Sequence, residues 1–270
     1  MKSVTQQDII TGLEKLRLQP SKVAVHCSLS SFGSVNGGAD TVIKAIFSVY
    51  ETVMMPAFCW EANAAPPDAD RPQQNGCNYS FYDNWSKPAV KFLIESAGIE
   101  KSMGAVSRSF IARPDVLRSD HPWHSWAALG NGVKNYLSPH SWDTTNVPLE
   151  RLASDGGWVI LMGVGLSSCT AVHIAEERAG RRPFIRWMRD RNGNVRRVRA
   201  SGCAKGFDRL LPHCIDIFKE TRIGNARILA APLKKLISIT TEIIKSDPEI
   251  TRCSTECIRC ADAILGGAVE

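Results

Sequence analysis

The sequence predicts an α/β fold in which helices flank a mostly parallel central sheet. The chain has 270 residues, 44% of them hydrophobic, and this composition is enough for a substantial buried core. Residues 22–60 show the pattern of a strand, a turn, a helix and a second strand, the unit from which parallel sheets are built. No repeat, low-complexity tract or linker interrupts the sequence, so we expect one domain over residues 1–270.

The N-terminal elements follow from hydrophobic spacing. Residues 5–18 carry apolar side chains at roughly helical intervals and end before a proline, which predicts a helix. Two apolar runs, "KVAVHC" and "TVMMPAFCW", predict buried strands at 22–27 and 52–60. Between these strands lie a Ser/Gly turn, "SLSSFGSVNGG" at 28–38, and a helical pattern at 39–50.

The rest of the chain predicts a loop, a strand, a hairpin and further helices. Pro, Asn, Asp and Gly are frequent from 61 to 90, and a loop of this length is more often functional than idle. The glycine-bounded run "GWVILMGVG" at 157–165 predicts a buried strand. The segment "FIRWMRDRNGNVRRVRA" predicts a hairpin that turns at Asn192 and Gly193, since both residue types tolerate positive φ. The helices are expected near residues 102–112, 206–220 and 232–245.

The net charge of +6 is distributed unevenly along the chain. Residues 178–199 contain nine Arg and one Asp, a local charge of +8, so the remaining residues sum to −2. This pattern is not that of a general polyanion-binding protein, and it indicates either a local anion site or a solvated arginine-rich hairpin. We therefore expect no nucleic-acid partner.

Composition also indicates a compartment. The nine cysteines are an odd number and lie mostly in apolar segments, which suits a reducing environment better than a disulfide framework. No run approaches the roughly 18 to 20 uncharged apolar residues of a membrane span. The start of the chain, "MKSVTQQDII", lacks the apolar region of a signal peptide. We therefore expect a cytoplasmic monomer or homodimer without a membrane partner.

The stretch "TAVHIAEE" follows the predicted strand at 157–165 and brings one imidazole near two carboxylates. On a helix, Glu176 shares a face with His173, and Glu177 is the next neighbour. A carboxylate bound to one ring nitrogen raises the basicity of the other, as a general base requires. An ordinary surface His–Glu pair is the alternative, and a metal site is disfavoured because the spacing supplies at most two ligands. The position after a buried strand favours catalysis.

Two further segments have the composition of ligand-binding loops. The Ser/Gly turn at 28–38 offers hydroxyls and amides to an anion or a carbonyl oxygen, although it matches no nucleotide-binding motif. The segment "RSDHPWHSW" at 118–126 combines histidines, tryptophans and serines. This combination suits either a ligand-contacting loop or a surface loop whose tryptophans fill a crevice.

Four cysteines form a third candidate site. The stretch "CSTECIRC" contains Cys253, Cys257 and Cys260, and Cys203 is a possible fourth ligand. Closely spaced thiolates can hold a structural zinc ion. Because only one C-x-x-C pair is present, four reduced, buried cysteines are the alternative.

Five separated segments resemble the aminoglycoside 3-N-acetyltransferase family, whose fold is unrelated to that of the GNAT acetyltransferases. In chain order they are "VHCSLSSFGSVNGGADTVIKAI", "MMPAF", "SMGAVSRSF" with "ARPDVLRSDHPWHSWAALG", "PLERL" and "ILMGVGLSSCTAVHIAEE". The resemblance implies an antibiotic-acetyltransferase-like fold. It also implies transfer of an acetyl group from acetyl-CoA to the 3-amino group of a 2-deoxystreptamine aminoglycoside, as in antibiotic resistance.

The resemblance also implies roles for individual residues. The family's catalytic T-x-x-H-x-x-E pattern falls on Thr170, His173 and Glu176, with His173 as the general base that Glu176 orients. Contacts to acetyl-CoA are implied at Ser28, Ser30, Ser31, Gly33, Gly37, Gly38, Ser119, His121 and Ser125. Carboxylates expected to face a polycationic acceptor include Glu61, Asp143 and Glu177.

Two departures from the family pattern bear on the identity of the acceptor amine more than on the type of reaction. Glu51 stands where the family usually has glycine, and the segment "HSWDTTNVPL" replaces the family's sequence at 140–149. A CoA-dependent acyltransferase that acts on another amine is therefore the alternative function. A zinc-containing nucleic-acid-binding module is a third hypothesis, which leaves His173 unexplained.

Overall fold

The computed structural model describes residues 3–83, 85–86, 88–96 and 98–270 as nine strands, nine helices and short 3-10 turns. The strands are β1 (Lys22–Cys27), β2 (Thr52–Pro56), β3 (Leu117–Arg118), β4 (Trp126–Gly130), β5 (Trp158–Met162), β6 (Phe184–Arg189), β7 (Val195–Ala200), β8 (Lys219–Ile223) and β9 (Ala226–Pro232). The helices are α1 (Gln6–Glu14), α2 (Gly38–Val49), α3 (Gly104–Ile111), α4 (Val133–Leu137), α5 (Val147–Ser154), α6 (Ala171–Arg178), α7 (Leu211–Cys214), α8 (Leu233–Ser246) and α9 (Ile258–Ile264).

Seven of the described strands form one sheet in the order β3-β4-β2-β1-β5-β9-β8. β1 pairs in parallel with β2 and β5, and the other pairings in this sheet are antiparallel. The expected α/β fold with a central sheet is confirmed, but the sheet is parallel only in its three central strands. At one flank the reason is the short turn between β8 and β9, because two strands joined by so few residues must pair antiparallel.

Helices cover both faces of the sheet. Val23 and Val25 of β1 lie in the hydrophobic cluster under α1, α2 and α3. Ala24 lies between them in sequence and belongs to the cluster on the other face, under α5, α6 and α8. Side chains alternate between the faces of a strand, so a strand buried on both faces is apolar throughout. This is why the sequence at 22–27 predicts a buried strand.

One predicted helix is wrong. Residues 206–220 form two 3-10 turns around the four-residue helix α7, and β8 begins at Lys219. Pro212 lacks an N–H and cannot donate to a preceding helical carbonyl, so a continuous helix does not pass through this position. The helices expected near 102–112 and 232–245 are confirmed as α3 and α8.

β6 and β7 form the predicted hairpin, which is a separate two-stranded sheet. The Asp190 carboxylate accepts hydrogen bonds from the backbone N–H groups of Asn192 and Asn194, both at 2.9 Å. Gly193 has φ of 91°, as the turn requires. The 61–90 loop packs on this hairpin, with Asn84 and Lys87 outside the described residues. Among the described helices, none combines the length and hydropathy of a bilayer span.

Candidate functional site

A cleft of about 1110 Å³ lies at the carboxyl ends of the three parallel strands. Residues within 26–30, 56–60 and 164–173, which end or follow β1, β2 and β5, line the cleft. Residues within 33–38, 102–107, 123–124 and 201–205 and Arg259 also line it. Loops and helix N-termini converge at this edge of a parallel sheet, which is where α/β proteins bind ligands.

Helix α6 places His173 in the cleft lining and Glu176 beside it. His173 Nδ1 donates to Glu176 Oε2 at 2.7 Å, and the side chains lie one helical turn apart. The two residues are only 7% and 6% exposed, so the alternative of an ordinary surface pair is excluded. In a neutral imidazole whose Nδ1 carries the proton, Nε2 is the nitrogen that can accept a proton from a ligand in the cleft.

Arg181 binds the other oxygen of Glu176. Its Nη1 donates to Glu176 Oε1 at 2.5 Å and to Thr251 Oγ1 at 2.7 Å, and its Nη2 donates to Pro248 O at 2.6 Å. The ion pair is buried, and three acceptors fix the guanidinium. Helical spacing gave no signal for Arg181, because it lies five positions after Glu176 and beyond the end of α6.

Thr170 and Cys169 line the cleft just before α6. Thr170 is the N-cap residue, and its carbonyl accepts from His173 N at 3.1 Å. Burial raises the pKa of the Cys169 thiol to about 12, so this thiol is protonated near neutral pH and lacks the reactivity of a thiolate. The ring of Phe207 meets His173 edge-on, with centroids 4.8 Å apart, and restricts the imidazole plane.

Some of the Ser/Gly-turn residues that were expected to contact acetyl-CoA line the cleft. Four of the residues that the resemblance implied line it: Ser28, Ser30, Gly33 and Gly38. Ser31 does not, because its hydroxyl donates to Gly163 O at 2.8 Å. Gly37 is the N-cap residue of α2, and its φ of 78° is in the left-handed region that favours glycine. Ser31 and Gly37 therefore shape the turn rather than line the cleft.

Three residues expected to contact acetyl-CoA lie in a buried hydrogen-bond network behind the cleft. Ser125 Oγ donates to Ala57 O at 2.5 Å, and Ser119 Oγ accepts from a backbone N–H of β4 at 2.9 Å. His121 is fully buried, and its Nδ1 accepts from the backbone N–H three residues further on, at 2.8 Å. Ser119, His121 and Ser125 do not line the cleft, because these polar contacts hold the 118–126 loop in place.

His124 and Trp123 are the residues of this loop that line the cleft. His124 Nε2 accepts from Ser201 N at 2.9 Å, so the proton of the neutral ring lies on Nδ1. Burial and the neighbouring histidines lower the pKa of His124 well below its usual value, so the ring is neutral. Nδ1 is buried without a partner among the described residues, which leaves one N–H donor unsatisfied beside the cleft. The sequence did not distinguish this histidine from its neighbour.

The carboxylates expected to face the acceptor lie outside the cleft lining. Glu61 adjoins Trp60, which lines the cleft, but the Glu61 side chain is exposed. Glu177 accepts a hydrogen bond from the Thr145 hydroxyl, and burial raises the pKa of its carboxyl. Asp143 and Glu177 line a separate pocket of about 250 Å³.

The cleft lining is apolar and basic. Among the described residues that form it there is no Asp or Glu, and its two cations are Lys205 and Arg259. Aromatic side chains, including Trp60 and Trp123, contribute much of the surface. A lining of this kind suits an anionic ligand with an apolar arm better than a polycation.

The arginine-rich segment at 178–199 binds other parts of the protein. Arg197 pairs with Glu270 at 3.0 Å, and buried Arg186 donates to backbone carbonyls of the 61–90 loop. The cleft lining includes none of the nine arginines of this segment. These contacts favour a structural and solvated hairpin over an anion site.

The cysteine cluster adjoins the cleft. The four Sγ atoms of Cys203, Cys253, Cys257 and Cys260 lie within 4.8 Å of one another. All nine cysteines of the chain are free thiols, and Cys203 also lines the cleft. The structure therefore brings together the four cysteines that the sequence offered as candidate zinc ligands.

Comparisons with known proteins match this chain to one family. The sequence model described as aminoglycoside 3-N-acetyltransferase matches residues 24–245. The chain is 33% identical to aminoglycoside N(3)-acetyltransferase VIII of Streptomyces fradiae over 65% of this chain and 62% of that protein. It is 32% identical to aminoglycoside N(3)-acetyltransferase III of a Salmonella species over 68% of this chain and 64% of that protein. The matched part thus spans slightly less than two thirds of these relatives.

Solved structures share the fold. The apoenzyme of aminoglycoside acetyltransferase AAC(3)-IVa superimposes with a TM-score of 0.76 at 22% identity, over 98% of both chains. The YokD protein from Bacillus subtilis gives a TM-score of 0.78 at 23% identity, over 92% of this chain and 96% of that one. A binary structure of AAC-IIIb with CoASH gives 0.72 at 20% identity, over 91% and 97%. The expected antibiotic-acetyltransferase-like fold is confirmed.

Proposed function

Because the chain belongs to the aminoglycoside 3-N-acetyltransferase family, we propose that it transfers an acetyl group from acetyl-CoA to the 3-amino group of a 2-deoxystreptamine aminoglycoside. The observation that carries the proposal is the buried hydrogen bond between His173 Nδ1 and Glu176 Oε2 at the edge of the cleft. CoASH occupies the related AAC-IIIb, and a CoA thioester is the donor that this reaction requires.

His173 is the general base of the proposed reaction. An acceptor amine is mainly an ammonium ion near neutral pH, and it must lose a proton before its nitrogen can attack a thioester. His173 Nε2 accepts this proton. The Glu176 carboxylate stabilises the imidazolium that forms, and Arg181 keeps that carboxylate in one orientation.

Donors beside His173 stabilise the reacting carbonyl. When the amine nitrogen bonds to the thioester carbon, negative charge develops on the carbonyl oxygen and needs hydrogen-bond donors. The unsatisfied Nδ1–H of His124 lies beside the cleft. The Ser28 and Ser30 hydroxyls, which also line it, bond to each other at 3.2 Å, so one of the two O–H groups is left as a donor. Cleavage of the C–S bond then releases CoA thiolate, which takes the proton from the imidazolium. The nitrogen of the product still carries one proton more than a neutral amide, and His173 Nε2, neutral again, accepts this proton and passes it to solvent.

The cleft lining supports binding of the CoA donor. The indoles of Trp60 and Trp123 offer apolar surface to the pantetheine arm. Lys205 and Arg259 offer positive charge to phosphates. Binding both substrates in one cleft converts the transfer into a reaction between groups already in contact, which accounts for much of the rate enhancement in such enzymes.

One observation favours a second candidate, acyl transfer from CoA to a different amine. An aminoglycoside carries several positive charges and needs carboxylates around it. The described cleft lining has none, and Asp143 and Glu177 lie in another pocket. An acceptor amine with less positive charge meets no such requirement.

Acetylation assays with acetyl-CoA distinguish the two candidates. Release of the CoA thiol is followed with a 2-deoxystreptamine aminoglycoside panel and, in parallel, with apolar monoamines, and products are located by mass spectrometry. Acetylation at the 3-amino group supports the first candidate, and acetylation of monoamines alone supports the second. Absence of both acetyl-CoA binding and thiol release contradicts both.

A further inference from the structure

Four thiols from distant parts of the chain meet beside the cleft. Cys203 follows β7, whereas Cys253, Cys257 and Cys260 surround the start of α9. Among the described His, Cys, Asp and Glu side chains, this is the one group of three or more whose ligand atoms are close enough to share a metal ion.

Two of the distances between the sulfurs match those of a zinc tetrathiolate, and all four sulfurs lie within 4.8 Å of one another. A Zn–S bond of about 2.3 Å and tetrahedral geometry place neighbouring sulfurs about 3.8 Å apart. The Sγ atom of Cys253 lies 3.7 Å from that of Cys203 and 3.6 Å from that of Cys260. A disulfide would bring two sulfurs to about 2.0 Å, so neither pair is bonded covalently.

The surroundings of the cluster also suit a bound thiolate set. Cys253 N donates to Cys260 Sγ at 3.4 Å, and N–H groups that donate to ligand sulfurs fix the orientation of metal sites. Lys205 and Arg259 line the cleft, and they lie two positions after Cys203 and one before Cys260 in the sequence. Their positive charge balances the net negative charge that a tetrathiolate zinc site carries.

We propose that Cys203, Cys253, Cys257 and Cys260 bind one structural zinc ion that fastens the cleft wall at 201–205 to the C-terminal segment. Four protein thiolates fill a tetrahedral zinc ion, so no position is open for catalysis. Binding replaces four thiol protons with one Zn²⁺, and no sulfur is oxidised or reduced.

The zinc site positions a catalytic group through a short connection. Ser201, whose N–H donates to His124 Nε2, lies two residues before the ligand Cys203. Fixing Cys203 therefore holds the donor that sets the tautomer of His124. This link gives the zinc ion a role in the geometry of the cleft without contact between the metal and a substrate.

Metal analysis of the intact protein tests the proposal. Protein is purified without added metal or chelator, and zinc is measured by inductively coupled plasma mass spectrometry, with about one ion expected per chain. Substitution with Co²⁺ is expected to give the intense d–d and sulfur-to-cobalt absorption of a tetrahedral thiolate site. A wild-type protein that holds less than about 0.1 zinc ion per chain, and takes up neither zinc nor cobalt, overturns the proposal.

Matched cysteine variants locate the metal. Cys257→Ser is expected to lower the zinc content about 10-fold or more, whereas Cys77→Ser, which removes a half-buried thiol outside the cluster, leaves it unchanged. Equal zinc content in both variants overturns the assignment. If Cys257→Ser does not fold, the thiols of the wild-type protein are modified instead, and the release of zinc is followed with a chromophoric chelator. Release of zinc on modification supports the proposal. No release overturns the proposal, as do disulfides among the four cysteines in freshly purified protein.

Discussion

Arg181 Nη1 lies 2.5 Å from Glu176 Oε1, so the carboxylate that binds His173 is itself held by a buried cation. Both carboxylate oxygens are engaged, and the guanidinium is bound in turn by Thr251 and Pro248. The orientation of the imidazole therefore depends on a chain of contacts that extends from α6 to the segment after α8.

Replacing His173 tests the proposed general base. We expect His173→Ala to lower kcat by about 10²- to 10⁴-fold, because the acceptor ammonium then loses its proton acceptor. Binding of acetyl-CoA and the melting temperature should change little. Steady-state thiol-release kinetics measure the effect, with His213→Ala, an exposed histidine, as the control. Wild-type turnover by His173→Ala would refute the role.

Removing the cation at Arg181 separates positioning from folding. Arg181→Met leaves Glu176 buried without its counter-ion, and we expect the free energy of unfolding to fall by about 3 kcal/mol. Arg181→Lys keeps the charge but cannot reach all three acceptors, so kcat should fall with little change in KM. Urea unfolding and steady-state kinetics measure the two effects. A purely structural role predicts that Arg181→Lys, once folded, has wild-type kcat.

Two variants of His124 separate its two ring nitrogens. His124→Asn places an amide donor near the position of Nδ1. His124→Gln places an amide oxygen, which can accept a hydrogen bond, near the position of Nε2, and it removes the donor from the cleft. If the Nδ1–H stabilises the thioester oxygen, His124→Gln should lose about 10- to 10³-fold in kcat, and His124→Asn should retain more activity. The opposite order of kcat values would assign the importance of His124 to its bond with Ser201.

Glu177 and Asp143 should prove dispensable for acetyl transfer. Both line a pocket separate from the cleft, and Glu177 is already bound to Thr145. We expect Glu177→Gln and Asp143→Asn to change kcat/KM by less than about 3-fold, a difference of under 1 kcal/mol in transition-state binding. A rise in the KM of an aminoglycoside alone would show instead that these carboxylates contact the acceptor.

Buried histidines predict acid instability. Burial lowers the pKa of His26 and of His140 to about 4, below the usual value of 6.5. The unfolded chain therefore binds more protons than the folded protein, so stability is full above pH 6.5 and is lost as pH falls towards 4. Melting temperatures measured across this interval should decrease with pH. His140→Gln should give a shallower decrease, and an unchanged slope would exclude His140 as a contributor.

The sequence predicted those elements whose burial can be seen directly in their own pattern of hydrophobic residues. β1 and β5 are buried on both faces and consist mostly of apolar residues, so each was visible as a short hydrophobic run. β8 lies at an edge of the sheet and carries mostly exposed polar residues, and its sequence gave no comparable signal. The antiparallel flanks were missed for the same reason, because strand direction depends on partners that periodicity does not identify.

The residues of the candidate site also differ in whether local sequence could predict them. His173 and Glu176 were found because a helix brings residues three apart into contact, whatever the rest of the fold does. Arg181 reaches Glu176 through tertiary packing, and the tautomer of His124 is set by a backbone N–H that lies 77 positions away. Ser119, His121 and Ser125, expected to contact acetyl-CoA, lie outside the cleft lining, because a loop sequence does not show which side chains face inward.

Ligand binding in the cleft is coupled to folding, because the cleft forms only when distant segments of the chain fold together. Its lining comes from residues after β1, β2 and β5 and from 201–205, so an unfolded chain offers no equivalent binding surface. A ligand of this cleft therefore stabilises the whole sheet, by about 2.7 kcal/mol at a concentration 100 times its Kd. Resistance of the protein to heat and proteolysis should rise with the supply of its own substrate.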